Sequence, residues 1–287
     1  MTAQTFTATS LTTRYLELSG GRIAYDDTKV DKPVEGTAPA RPVIVCVPGL
    51  GDTRATYRHL RPLLVAAGYR VVTMDLRGEG ESTAAWDDYS TTAVAADVLA
   101  LVRHLDAGPV VLVSNSYTGG PSFLAAAEAP ELFGALVLTA PFARHQPPPS
   151  LVLRGAEYAL SHVTAGWIAY WSSLFKTRKP ADFAEARKAL AATMREPGRM
   201  AALRGMLASS QAPGEAAAAR VQCPVLVVMG SKDPDFKDPA AEAALVAGLV
   251  RNGRVEFVEG AGHYPQAEFP QETADVVLPF LKGAVNA

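Results

Sequence analysis

Short apolar runs recur along the chain, and from residue 42 onward most of them are apolar at nearly every position. Strands buried on both faces by helices lose the usual alternation of apolar and polar residues, as is typical of parallel sheets. The runs that predict strands are residues 14–18, 22–25, 42–47, 70–74, 110–114, 135–139, 225–229 and 255–258.

Longer stretches with helical spacing of apolar residues separate most of these runs. They cover residues 54–67, 91–106, 116–129, 240–250 and 270–281. Alternating strands and helices predict an α/β fold, with a mostly parallel eight-stranded sheet flanked by helices. Because only Ser19-Gly20-Gly21 separates the first two runs, a hairpin is indicated and the sheet is expected to begin antiparallel.

Residues 142–222 interrupt this alternation, because they contain no convincing strand. Residues 150–175 and 182–194 have helical patterns, and Trp167, Tyr170, Trp171 and Phe175 fall on one face of the first. That face either packs against the rest of the protein or roofs a substrate pocket. We therefore expect a flexible tail over residues 1–13, a core domain of residues 14–141 and 223–287, and a helical cap of residues 142–222 inserted after the sixth strand.

The composition is that of an ordinary globular protein. Of 287 residues, 48% are hydrophobic and 20% charged, and the formal net charge is −2. Without a cluster of basic residues the chain is not expected to bind nucleic acid. It has neither a signal-peptide pattern at its start nor an apolar run long enough to span a membrane, so a cytoplasmic protein is expected. The oligomeric state is left open.

Three residues with the chemistry of a nucleophilic site each follow a predicted strand. Ser116 comes after an apolar run and at once precedes a helix, Asp233 follows the run at 225–229, and His263 follows the run at 255–258. A serine hydroxyl needs a base to take its proton, and a carboxylate can orient that base. Asp235 and Asp238 are rivals of Asp233 for the last role.

This order of serine, aspartate and histidine resembles that of the α/β-hydrolase fold family. Three further motifs are similar to family signatures: Val47-Pro-Gly-Leu-Gly51 to the oxyanion loop, Asp75-Leu-Arg-Gly-Glu-Gly-Glu-Ser82 to the D-x-R-G-x-G-x-S turn, and Gly262-His-Tyr-Pro265 to the histidine loop. The resemblance extends from about Val43 to Leu281, apart from the insert.

The resemblance implies roles for individual residues. Ser116 would be the nucleophile, His263 the base and Asp233 its orienting acid, with the backbone N–H groups of Leu50 and Tyr117 as the oxyanion hole. Residues expected in the substrate pocket are Asn115, His145, Trp167 and Trp171. No metal-ligand spacing and no phosphate-binding loop is present, so neither a metal nor a cofactor is expected.

Three positions depart from the family pattern. Ser114 and Thr118 stand where the G-x-S-x-G elbow has glycines, and Pro48 replaces a histidine common in the oxyanion loop. Proline also lacks the N–H that could anchor that loop.

The resemblance implies a serine hydrolase that cleaves a small-to-medium apolar carboxylic ester through an acyl-enzyme on Ser116. The Asn115-Ser116 pair is similar to the elbow of meta-cleavage-product hydrolases, so a carbon–carbon bond hydrolase is an alternative. Lactonase and cofactor-free haloperoxidase activities are others. A slow-turnover small-molecule receptor or signalling protein of the same fold is the alternative from another class, since fold alone does not decide function.

Overall fold

An eight-stranded sheet forms the centre of the computed structural model, which describes residues 11–28, 41–145 and 151–285. Along the sheet the strands lie in the order β1-β2-β4-β3-β5-β6-β7-β8, and β5 is thus flanked by β3 and β6. The strands are β1 (Arg14–Leu18), β2 (Gly21–Asp27), β3 (Ile44–Val47), β4 (Val71–Met74), β5 (Val110–Asn115), β6 (Phe133–Thr139), β7 (Val225–Gly230) and β8 (Gly253–Val258).

The sheet is parallel except at its beginning. Strand β1 pairs antiparallel with β2, in a register that sets Leu18 opposite Gly21, and β2 pairs antiparallel with β4. All remaining pairs are parallel. The carboxyl ends of β3 to β8 therefore meet along one edge, which is where parallel sheets gather their functional loops.

Helices cover both faces of the sheet. They are α1 (Leu60–Ala66), α2 (Thr91–Leu105), α3 (Gly119–Glu128), α4 (Leu151–His162), α5 (Thr164–Ser173), α6 (Phe183–Thr193), α7 (Arg199–Leu207), α8 (Ala212–Ala218), α9 (Pro239–Gly248), α10 (Pro265–Glu268) and α11 (Pro270–Val285). Short 3₁₀ helices occupy Arg54–Tyr57, Ser116–Thr118 and Pro130–Leu132.

Alternate residues of the buried strands contribute to two separate cores. Val45 and Leu112 belong to the cluster that contains residues of α2, α3 and α9, whereas Cys46 and Val113 belong to the cluster with α1 and α11. All four side chains are fully buried. The two-residue period of a strand thus supplies both layers from sequences that are apolar throughout.

The sequence-based prediction of the fold is confirmed, and the differences are local. The helical stretch predicted at 150–175 is two helices, because Val163 has extended backbone (φ −125°, ψ 114°) between α4 and α5. The stretch at 54–67 likewise divides into a 3₁₀ turn and α1. Helix α7 was not predicted, since its apolar residues do not form a clear stripe along its sequence.

Parts of the predicted domain organisation lie outside the described residues, namely positions 1–10 of the tail, 29–40 and 286–287 of the core domain, and 146–150 of the insert. In the described part of the chain, no helix combines the length and apolar character needed to cross a membrane. Cys46 and Cys223 are both free thiols.

A buried ion pair fastens the turn after β4 to helix α2. The Arg77 guanidinium donates to both carboxylate oxygens of Asp97 over 2.7 Å, and it donates a third hydrogen bond to the Asp88 carbonyl. The Asp97 side chain is 2% exposed and that of Arg77 is 10% exposed. Because water does not reach them freely, each of these charges is stabilised mainly by the other.

Replacing Asp97 with alanine is expected to lower the free energy of unfolding by about 3–5 kcal/mol, because it leaves the Arg77 charge buried without its partner. Urea denaturation measures the loss. The matched control is Glu272→Ala at the Arg178–Glu272 pair, in which both side chains are 48% exposed. That change is expected to cost at most about 1 kcal/mol. Equal losses at the two pairs would contradict this account.

Candidate active site

Ser116 lies in a sharp turn between β5 and helix α3. Its φ of 58° is in the left-handed region, which residues other than glycine rarely adopt. The turn opens a 3₁₀ helix over Ser116–Thr118, and the Ser116 carbonyl accepts a hydrogen bond from the Phe142 N–H at 2.9 Å. Such strain persists only where the surrounding structure holds it in place, and it leaves the Ser116 hydroxyl at the end of the sheet.

The structure brings Ser116, His263 and Asp233 together. His263 Nε2 lies 2.8 Å from Ser116 Oγ, and His263 Nδ1 lies 2.7 Å from Asp233 Oδ2. The other carboxylate oxygen of Asp233 accepts the backbone N–H of Asp235 at 3.0 Å, so both of its oxygens are engaged. This chain of hydrogen bonds can take a proton from the Ser116 hydroxyl and stabilise it on the imidazole.

Thr118 and Asn115 show how the elbow accommodates its departures from the glycine pattern. The Thr118 hydroxyl accepts the Asn115 N–H at 3.2 Å, and lies within hydrogen-bond distance of the carbonyl oxygens of Asn115 (2.8 Å) and Pro48 (3.2 Å). The Asn115 amide donates to the carbonyls of Thr139 and His263. The side chains flanking Ser116 therefore join the elbow to the neighbouring loops.

The loop after β3 passes very close to Ser116. A Cβ atom on Gly49 would lie 2.8 Å from the Cβ of Ser116, so only glycine permits this approach. Leu50 follows directly, and Gly51 then adopts a left-handed φ of 66°. The Gly51 N–H donates to Glu79 Oε1 at 3.1 Å. This geometry brings the backbone at Gly49, the residue before Leu50, beside the nucleophile.

Two carboxylates act on the charge of His263. Burial alone would lower the pKa of His263, but Asp233 and Asp235 outweigh it and raise the pKa to about 9. Asp235 Oδ2 lies 3.6 Å from His263 Nδ1, and both of its carboxylate oxygens accept from the Tyr170 hydroxyl at 2.8 Å. The two carboxylates therefore favour the protonated form of the His263 imidazole in the free protein.

Two further acids are buried next to the Leu50 loop. Burial raises the pKa of Glu79 to about 8, against the opposing hydrogen bond from Gly51 and the charge of Arg199. Burial likewise raises the pKa of Asp52 to about 6, although the Thr53 N–H and the Trp171 indole donate to its carboxylate. Glu79 is fully buried and its Oε2 has no hydrogen-bond partner in the part of the chain that the structure describes, so its neutral form is favoured.

The residues expected in the substrate pocket occupy different environments. Asn115 is fully buried, and Trp167 and Trp171 are only 5% and 4% exposed. His145 is exposed; its backbone N–H donates to Glu215 and its ring lies 3.4 Å from Ser210 Oγ. The hydrogen bonds of His145 thus join it to α8 and the residues before it, rather than to Ser116 or His263.

Tyr117, the other residue expected to offer an oxyanion-hole N–H, comes directly after the nucleophile. Its hydroxyl lies 2.9 Å from Ser209 Oγ and donates to the Tyr89 carbonyl at 3.2 Å. The Tyr117 backbone N–H stands at the start of the 3₁₀ helix, where such groups lack an intrahelical acceptor.

Some neighbours of the site escaped the sequence analysis. The rings of Phe142 and Phe236 lie 5.9 and 6.2 Å from that of His263 and 4.8 Å from each other. Phe142 follows β6 and Phe236 follows β7, and neither belongs to a motif, so only the topology brings them together. Glu79 lies between two glycines in the turn after β4, and nothing in the sequence there distinguishes a buried carboxyl from a solvated one.

Two clefts open elsewhere, beside the 3₁₀ helix Arg54–Tyr57. Their volumes are about 290 and 370 Å³, and Thr53, Ala55, Arg58 and Thr193 contribute to both. Neither cleft is lined by Ser116, Asp233 or His263. Neither cleft is therefore the place where a substrate would meet Ser116.

Among the described residues, Asp233, Asp235 and His263 are the one group whose potential ligand atoms are close enough to hold a metal ion, within 4.8 Å of one another. Both ring nitrogens of His263 are already engaged, Nδ1 by Asp233 and Nε2 by Ser116. A metal on His263 would have to displace one of these hydrogen bonds.

Comparison with known proteins identifies the family. The model of the alpha/beta hydrolase family matches residues 44–276, most of the chain. The chain therefore belongs to the α/β hydrolase family and is a hydrolase, which confirms the resemblance drawn from the motifs.

One curated relative is similar over part of the chain. A probable esterase from Oryza sativa subsp. japonica is 35% identical over 102 residues, which are 34% of this chain and 37% of that protein. This chain thus aligns with well under half the length of that relative.

Solved structures are similar over nearly the whole chain. A bromoperoxidase from Bacillus anthracis has a TM-score of 0.79 and 19% identity, covering 94% of this chain and 100% of that one. A thermophilic esterase from Thermogutta terrifontis has a TM-score of 0.75 and 22% identity, covering 94% and 99%. At these identities the likeness concerns the fold.

Replacing Glu79 with glutamine is expected to reduce the dependence of stability on pH. Because burial raises the folded-state pKa of Glu79 to about 8, the folded protein holds this proton more tightly than the unfolded chain. Its contribution to stability is therefore lost as the pH rises from about 4.5 to 8, at up to ~1.4 kcal/mol per pH unit.

Urea denaturation at pH 5 and pH 8 measures this effect. The glutamine variant is expected to gain stability relative to the wild type between these two values. The control is Glu256→Gln, which removes an exposed carboxyl on β8. If the difference between Glu79→Gln and the wild type is the same at both pH values, Glu79 does not titrate as described.

Proposed function

We propose that the protein is a serine hydrolase that cleaves small-to-medium apolar carboxylic esters through an acyl-enzyme on Ser116. The observation that carries the proposal is the unbroken chain of two hydrogen bonds, 2.8 Å from Ser116 Oγ to His263 Nε2 and 2.7 Å from His263 Nδ1 to Asp233. The backbone at Ser116 and membership of the α/β hydrolase family support it further.

In the first half of the reaction, Ser116 Oγ attacks the ester carbonyl carbon and its proton passes to His263 Nε2. The carbonyl π electrons move to oxygen, and the tetrahedral oxyanion is stabilised by the backbone N–H groups of Leu50 and Tyr117. Asp233 keeps the Nδ1 proton in place and stabilises the imidazolium that forms.

The intermediate then collapses. The C–O bond to the alcohol breaks, His263 Nε2 returns its proton to the leaving oxygen, and the acyl group remains on Ser116. A water molecule, deprotonated by His263, attacks this ester by the same route and releases the acid, which restores the Ser116 hydroxyl. The cycle needs only the protein's own groups and water.

An apolar substrate suits the surroundings of the base. The leaving oxygen must approach His263 to receive its proton, and Phe142 and Phe236 pack beside that ring on partly exposed positions. The burial of an uncharged ester against such rings is favourable, whereas a charged group would lose its hydration there.

We further propose that residues 142–222 act as a cap on a core domain made of residues 14–141 and 223–287. Helices α4 to α8 all lie between β6 and β7 in sequence, and α5 contacts the loops after β3 and β7. The position of α5 against these two loops would limit which substrates reach Ser116.

The first experiment offers purified protein p-nitrophenyl esters of increasing acyl length. Wild-type protein is expected to turn them over, and Ser116→Ala to reduce kcat/KM by at least ~10³-fold, because the nucleophile is removed. The matched control is Ser114→Ala. Ser114 is two residues away and fully buried, and its hydroxyl has no hydrogen-bond partner among the residues described, so activity should persist.

The same experiment separates the alternatives. Cleavage of vinylogous diketones but not esters would favour a carbon–carbon bond hydrolase, and preference for cyclic esters a lactonase. Peroxide-dependent halogenation without ester cleavage would favour a haloperoxidase. Saturable binding of a small apolar molecule with no turnover of any substrate would contradict the enzyme and favour a receptor.

The second experiment concerns the two acids beside His263. Because Asp233 and Asp235 raise the pKa of His263 to about 9, kcat/KM for an ester is expected to increase with pH until the imidazole is neutral near that value. Asp235→Asn removes one negative charge, lowers the pKa of His263 and moves the rising limb to lower pH while the plateau is retained.

Asp233→Asn is the comparison, because it removes the acid bonded to Nδ1 and is expected to lower the plateau itself by ~10⁴-fold, the scale known for such a change in serine proteases. The pH profiles of both variants are measured on one substrate. If Asp235→Asn lost the plateau and Asp233→Asn retained it, the two acids would have exchanged roles.

A further inference from the structure

One helix of the insert makes hydrogen bonds to several loops at the candidate active site. From α5, the Trp167 indole N–H donates to the Gly51 carbonyl at 2.8 Å, and the Tyr170 hydroxyl donates to Asp235. Just beyond its end, the Leu174 carbonyl accepts the backbone N–H of His263 at 3.1 Å. The loops after β3, β7 and β8 are thus all fastened to the same short segment.

The contact at Gly51 is the most constrained of these. The Gly51 N–H is held by Glu79 and its carbonyl by Trp167, so both polar groups of the residue have fixed partners. A Cβ atom on Gly51 would lie 2.2 Å from the Trp167 ring, which shows how closely the indole packs on the backbone. Trp167 is 5% exposed and Glu79 is fully buried, so water does not compete for these bonds.

Gly51 directly follows Leu50, whose N–H is the oxyanion-hole donor in the proposed mechanism. Such a donor accelerates the reaction only if it is aimed before charge develops on the substrate oxygen. The loop has lost one means of anchorage, since Pro48 has no N–H to donate. The two hydrogen bonds at Gly51 fix the peptide group that joins it to Leu50 and the carbonyl that follows.

We propose that Trp167 is a positioning residue for the oxyanion hole, whose indole N–H holds the Gly51 carbonyl and so keeps the Leu50 N–H directed at the substrate oxygen. The inference rests on the proposed function. It assigns Trp167 an action through the backbone and not as a wall of the acyl pocket. Its loss should therefore affect the transition state more than the bound substrate.

The test replaces Trp167 with phenylalanine, which keeps an aromatic ring but removes the N–H donor. With p-nitrophenyl acetate, butyrate and octanoate, kcat is expected to fall about 10-fold by the same factor for each ester, while KM changes less than about twofold. A trifluoromethyl ketone, whose tetrahedral adduct on Ser116 needs the oxyanion hole, should bind more weakly by a factor similar to the loss of kcat/KM.

The matched control is Trp86→Phe. The Trp86 indole also donates to a backbone carbonyl, that of Thr83 at 2.7 Å, but it lies in the loop before α2. Its kcat and inhibitor affinity should remain within about twofold of the wild type. Thermal unfolding of both variants separates lost stability from lost activity.

Two results would overturn the inference. In one, Trp167→Phe changes the preference for acyl length or KM while kcat is preserved, which is the behaviour of a pocket wall. In the other, its kcat and inhibitor affinity match those of Trp86→Phe. If wild-type protein shows no Ser116-dependent turnover, the proposed function itself fails and the inference fails with it. That failure is seen in the wild type, so it is distinct from the two results above, which are seen only in the Trp167 variant.

Discussion

The left-handed backbone at Ser116 is the constraint on which the rest of the site depends. A non-glycine residue in this conformation is strained, and it remains there because the surrounding structure determines it. Strand β5 fixes one side of the turn and helix α3 the other, while Thr118 and Asn115 bind the turn to the loops after β3 and β8. The hydroxyl is thereby presented to His263, whose Nε2 lies 2.8 Å away.

Buried carboxyls determine the electrostatics around this turn. Asp233 and Asp235 favour the protonated imidazole of His263, whereas burial raises the pKa of Glu79 and favours its neutral form beside Gly51. These outcomes follow from what each group faces. His263 lies against the carboxylates of Asp233 and Asp235, whereas Glu79 has one oxygen without a hydrogen-bond partner among the described residues. Burial thus dominates at Glu79, which accepts the Gly51 N–H, whereas nearby charges dominate at His263.

The parts of the structure set by local pattern were predictable from the sequence. Eight apolar runs correspond to eight strands, and the hairpin at Ser19-Gly20 forms the antiparallel start. The positions of Ser116, Asp233 and His263 after their strands were visible for the same reason. The pairing of Trp167 with Gly51 was not, because these residues are 116 positions apart and only the packing of α5 brings them together.

The insert shows most clearly where sequence patterns stop being informative. An aromatic stripe at helical spacing is compatible with a roof over a pocket and with a buried face, and the pattern cannot distinguish them. In the structure Trp167 and Trp171 are buried and their indole N–H groups are used within the protein. What such a stripe does is decided by the residues it contacts in the folded protein, and not by residue type alone.

The most direct test of the central claim is peptide mapping by mass spectrometry after wild-type protein has reacted with a fluorophosphonate. The account predicts one adduct, on Ser116, that is lost when His263 is replaced by alanine; an adduct on another residue, or none, would contradict it.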